Sequence, residues 1–131
     1  MTFKAITKIG LATAFTLLLA TIPMQGEEVK PEAKTFPAFW AQFKTALANK
    51  DKEAIAGMTK FPFVYGGAQF TRAEFIKRYD EIFTGKERAC FRSAKPVKDE
   101  RESFSVFCGQ SYYLFEKGNS GYQFADVGEN D

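Results

Sequence analysis

The stretch SFSVFCGQSYYLFEKGNSGYQFADVG, Ser103 to Gly128, decides the fold. Its three runs, SFSVFCG, SYYLFEK and GYQFADVG, are rich in aromatic and β-branched residues. They are broken by Gly109-Gln110 and by Gly118-Asn119-Ser120-Gly121. Glycine and asparagine accept the left-handed backbone of tight turns, so runs punctuated in this way predict antiparallel strands joined in chain order. A fourth run of the same character, RACFRSA from Arg88 to Ala94, precedes them across the polar stretch KPVKDERE. It reads as the first strand of a four-strand meander. Cys90 and Cys108 then fall on the first two strands, where a cross-strand bridge is geometrically reasonable. In that arrangement Phe104, Val106 and Cys108 share a face with Arg88, Cys90 and Arg92, while Ala89, Phe91 and Phe107 share the other.

Upstream of the meander the hydrophobic period is helical. Thr35 precedes FPAFWAQFKTALANK, in which Phe36, Phe39, Trp40, Phe43 and Leu47 follow three-and-four spacing and Pro37 sits in the tolerated first turn. Asp51 offers a side-chain cap to a short second helix, KEAIAGM, with Ala54, Ile55 and Met58 turned inward. Gly57 and the residues before Pro62 end it. In KFPFVYGGAQF, Lys60 to Phe70, Phe61, Phe63 and Tyr65 alternate with Pro62 and Val64 as an edge strand. Gly66-Gly67 turns it back into a second arm. Thr71 and Glu74 then form a capping box opening a third helix. Phe75, Ile76, Tyr79, Ile82 and Phe83 are its buried stripe, and Gly85 reads as its close. The expected class is α+β, with N-terminal helices packed on a curved antiparallel sheet.

The first residues carry an address. Lys4 and Lys8 precede an apolar run from Ile9 to about Ile22, followed by Pro23, Gly26 and acids. That order predicts a secretory signal over 1–26, a flexible lead-in over 27–35 and one domain over 36–131. Cleavage after Ala20 is the alternative to cleavage after Gly26, and an uncleaved anchor is the alternative to cleavage. The expected location is exported, periplasmic or secreted, with no membrane attachment after cleavage. Cleavage removes Lys4 and Lys8 and no acid, so the formal charge of +2 vanishes. A neutral domain gives no electrostatic case for nucleic acid or anionic lipid. Between Arg72 and Arg101 nine basic residues face six acids, and this local excess reads as a solvated surface. In an exported chain two cysteines predict a disulfide, and without histidine they leave a zinc ion short of ligands.

The element order, carried by FWAQFKTALANKDKEAIAGMTKFPF, FTRAEFIKRYDEIF and SYYLFEKGNSGYQFADVG, resembles the NTF2-like superfamily with its cystatin-like α+β cone. It is most similar to small exported bacterial members of that group. The resemblance implies a cavity between a concave sheet and the helices. It implies no activity, because the superfamily holds isomerases, dehydratases and transport adaptors alike.

The composition narrows the chemistry further. With no histidine, Ser-His-Asp and Cys-His catalysis and the histidine-dependent dehydratases of this superfamily are excluded. Isomerases of this fold use an aspartate base with tyrosine and acid oxyanion donors. Tyr65, Tyr79, Asp80, Tyr113 and Asp126 are of those types, but none aligns onto that constellation. Asp80 and Asp126 read as solvated. Phosphate-loop and metal-binding spacings are missing from the sequence, so neither a cofactor nor catalysis is expected. What remains is binding. Trp40, Tyr65 and Tyr79, with Phe43, Phe63 and Phe83, are candidates to line the cavity, and Arg92 or Tyr113 to anchor a polar group. Each aromatic serves equally well as plain core. The reading is a non-catalytic binding domain holding a small apolar or acidic ligand in the cone. A protein-recognition or homodimer module of the cell envelope, using the outer sheet face, is the alternative; a carboxylate–tyrosine isomerase ranks third.

Overall fold

The structure, a computed structural model, describes residues 34–129. The signal assigned to 1–26, most of the lead-in and the last two residues lie outside the described residues.

Helix α1, Phe36–Ala48, begins where the Thr35 hydroxyl accepts a bond from the Ala38 amide at 3.4 Å. Phe36, Phe39, Trp40, Phe43, Ala46 and Leu47 form its buried face. It ends in a Schellman turn: the Lys50 amide donates to Leu47 and the Asp51 amide to Ala46, with Lys50 at φ 52°. Asp51 immediately caps α2, Lys52–Gly57, by accepting from the Ala54 amide at 3.1 Å. The hairpin follows as expected, β1 (Phe63–Tyr65) and β2 (Ala68–Phe70), with Gly66 and Gly67 at φ 59° and 80°. Only glycine adopts two successive left-handed residues without steric penalty. The capping box of Thr71 and Glu74 opens α3, Arg72–Lys77.

Beyond Lys77 the chain departs from the sequence reading. The third helix breaks at Arg78 and restarts as α4, Tyr79–Ile82, although the buried stripe of Phe75, Tyr79, Ile82 and Phe83 persists through the break. Gly85 does not close a helix; it is the first residue of α5, Gly85–Ser93. Thr84 caps this helix in a second capping box with Glu87. RACFRSA is therefore helical, not the first strand. Its only buried residue is Phe91, with Arg88 and Arg92 beside it at helical spacing. The helix ends at Ala94, whose backbone is already extended (ψ 142°), two residues before Pro96.

The place of the first strand is taken by a two-residue stub inside the supposed polar spacer: β3, Val97–Lys98. The sheet continues through β4 (Phe104–Cys108), β5 (Ser111–Gly118) and β6 (Gly121–Glu129), antiparallel in chain order. Phe104 pairs with Phe115 and Val106 with Tyr113, so Phe104, Val106, Cys108, Tyr113 and Phe115 share the inner face. A bulge in β6 separates the Leu114–Asp126 and Phe115–Phe124 pairs. The extra residue, Ala125, shifts the alternation by one. Tyr122 and Phe124 before it, and Val127 after it, can thus all face inward. On the outer face the Tyr112 ring lies across Gly128, where a Cβ would come within 2.5 Å of it. Phe107 and Val97 are the exposed apolar residues of that face, at 48% and 54%.

The space between α1 and the sheet is filled by rings. Phe43 is the hub, 5.0 Å from Phe115, 5.8 Å from Phe124 and 6.1 Å from both Phe83 and Phe91. The Cys90–Cys108 disulfide forms as expected, but it ties α5 to β4 rather than two strands to each other.

Candidate functional site

The residues expected to line a cone cavity are dispersed. Trp40 packs into the core against Phe43, Phe91 and Phe115. Tyr113 is fully buried, its ring 4.8 Å from Phe91 and its hydroxyl donating to the Ile82 carbonyl at 3.3 Å. Burial, reinforced by the neighbouring Glu87 carboxylate, pushes the Tyr113 hydroxyl far above the ordinary tyrosine range. Tyr65 stands half-buried on β1, 6.2 Å from Phe70. Arg92 is exposed on α5. Of the two acids, Asp80 is 71% exposed and pairs with Lys52 at 3.1 Å, and Asp126 accepts from the Val127 amide.

Tyr79 is the anomaly. Its ring is wholly buried, with the Lys52 ammonium 5.6 Å from the centroid, and among the described residues its hydroxyl has no hydrogen-bond partner. Burial raises its pKa, and the Arg88 guanidinium partly opposes the rise. An unpaired buried hydroxyl costs desolvation with no return. Tyr79→Phe is therefore expected to raise stability by about 1 kcal/mol. Urea unfolding of the two proteins checks this, and a less stable variant would show that the hydroxyl does have a partner.

Among the described residues two surface clefts bear on binding. One, of about 390 Å³, lies beside the disulfide and is lined by Lys86, Glu87, Cys90, Cys108, Gly109, Gln110 and Ser111. Its single cation and single acid give it no net preference. The other, of about 250 Å³, runs between the end of α1 and α5. Lys44 and Lys50 stand on its α1 side, Arg88 and Arg92 on its α5 side, and Leu47, Ala48, Gly85 and Phe91 complete the lining. It contains no acid. Among the described residues none of its four cations forms an ion pair with a carboxylate, whereas five other basic residues do. Arg88 donates to the Phe83 carbonyl, and the Lys44 ammonium lies 5.6 Å from the Trp40 ring centroid.

Local sequence explains why these charges meet. The Schellman turn carries Lys50 back over the last turn of α1. The second capping box makes α5 a helix, which sets Arg88 and Arg92 one turn apart. Arg92 is thus the one expected ligand residue that the cleft includes. No sequence pattern marks Lys44, Lys50 or Arg88 as ligand residues, although Arg88 belongs to the segment from Arg72 to Arg101 in which nine basic residues face six acids. Comparison with known proteins gave no match: no family model, no curated protein and no solved structure corresponds to this chain.

Proposed function

We propose that this chain is an exported, non-catalytic binding domain of NTF2-like build that takes a small acidic ligand in the cleft between α1 and α5. The observation that carries the reading is the cleft itself: four cations that, among the described residues, have no carboxylate partner, around a partly apolar lining. Like charges held together repel, and an anion among them relieves that repulsion. The volume suits a ligand of few atoms, being below the roughly 300–1,000 Å³ of drug-sized pockets. Leu47 and Phe91 offer such a ligand a short apolar contact.

Helices followed by a curved meander, α1 to β6, support the NTF2-like assignment. The Cys90–Cys108 disulfide supports an oxidising compartment. No described helix is long and apolar enough to cross a membrane. Protein recognition through the outer sheet face ranks below ligand binding. Two half-exposed side chains, Phe107 and Val97, cover a small part of the ~800 Å² that each partner commits to a stable interface.

Titration with citrate and with inorganic phosphate, followed by amide chemical shifts, tests the reading. Saturable shifts are expected over residues 44–50 and 85–92, weakening as salt screens the cations. Replacing Lys44 and Arg92 together by alanine is expected to weaken citrate binding by about tenfold or more. Shifts that do not saturate, or that map elsewhere, would refute the cleft.

A further inference from the structure

We infer that Lys50 is an affinity-determining residue of the α1–α5 cleft, held in a left-handed backbone position that the fold alone would give to glycine. The inference rests on the reading of that cleft as an anion site.

Lys50 is the residue immediately past the helix cap of the α1 Schellman turn, with φ 52°. The motif needs a left-handed residue there, and glycine is the usual occupant because it has no Cβ to strike the following carbonyl. The turn itself makes no use of the lysine side chain. Its two bonds, from the Lys50 amide to Leu47 and from the Asp51 amide to Ala46, are backbone bonds that glycine makes equally well. One other described non-glycine residue shares this backbone region, Glu102 at φ 62°. Its carboxylate has a partner within the domain, the Lys117 ammonium at 3.7 Å. Among the described residues Lys50 has no such partner, and it lines the cleft together with Arg88 and Arg92. Strained backbone persists where another requirement holds it. Here that requirement is a fourth positive charge in the cleft, beside the end of α1.

A lysine near a helix C-terminus also complements the helix dipole, and α1 has no basic residue in its last turn. That role would act on stability alone, so affinity separates the two. Citrate is titrated into the natural protein, Lys50→Gly and Lys50→Arg, and each is melted without ligand. Lys50→Gly is expected to melt a few degrees higher, about 3–5 °C, as the left-handed strain is relieved. The same variant is expected to bind citrate about fivefold more weakly. Lys50→Arg, which keeps charge and reach, is expected to retain binding within about twofold. If the natural protein binds citrate in the cleft and Lys50→Gly binds it equally well, the inference is overturned while the cleft stands. If the natural protein shows no saturable binding, both fall.

Discussion

Phe43→Ala is expected to lower the unfolding free energy by about 3–5 kcal/mol, the range for deleting a buried phenylalanine ring. Phe43 has no exposed surface, and its ring meets partners from every side of the core: Phe39 and Trp40 on its own helix, Phe83 after α4, Phe91 on α5, Phe115 on β5 and Phe124 on β6. Those partners belong to elements fixed by separate hydrogen-bond ladders and caps. They cannot collapse together into the void, so the cavity penalty adds in full to the lost burial. Domains of this size are stable by roughly 5–15 kcal/mol, so one substitution consumes a large share. The midpoint of thermal unfolding should fall by roughly 20 °C. Trp40, the chain's one tryptophan, lies 6.3 Å from the Phe43 ring and reports the transition by fluorescence. An equal loss from Val64→Ala, at an exposed residue of β1, would show that the ring cluster is not the centre of stability.

Removing the disulfide is the second large effect. Replacing Cys90 and Cys108 by serine should cost about 3 kcal/mol, since the bridge closes a loop spanning 18 positions and restricts the unfolded chain. The native state loses something local as well. Helix α5 has a single buried residue, Phe91, so the bridge to β4 is its other main attachment to the sheet. Amide exchange in the serine variant should accelerate most over Gly85–Ser93, with β5 and β6 changed only by the global loss. Uniform acceleration would mean that α5 is held by packing alone. Reduction of the natural protein should reproduce the serine variant.

Much of this architecture was readable in the chain because local and tertiary signals agreed. The aromatic spacing of α1, the Asp51 and Thr71 caps, the Gly66-Gly67 turn and the glycine-punctuated β4 to β6 runs each point to the observed element. The misreadings occur where one residue type serves two geometries. Gly85 looks like a helix stop, yet Thr84 and Glu87 on either side form a start signal as clear as the one at Thr71. Weighing Thr84-Gly85-Lys86-Glu87 as a capping box would have made RACFRSA helical and freed Cys90 from the sheet. Phe91 and Cys90 alone suggested a strand, though a period cannot be set by two adjacent residues. The site was less readable than the fold. Its cations come from two helices whose relative placement depends on ring packing, and Lys50 enters through a backbone conformation that lysine rarely signals.

The two borders of the sheet bear on how this chain behaves in a crowd. On one side β3 is two residues long, follows Pro96 and includes Lys98, so it presents almost no ladder for a stranger to extend. On the other side, β6 is engaged at Phe124 by its own chain: its amide donates to Met58 and its carbonyl accepts from Lys60. An unfolded neighbour that meets this domain thus finds one border too short to copy and the other interrupted midway. Stacking of strand upon strand between molecules is blocked at both ends, even though Phe107 and Val97 leave the outer face apolar. A sequence this rich in phenylalanine would otherwise be a ready seed for fibrous aggregation.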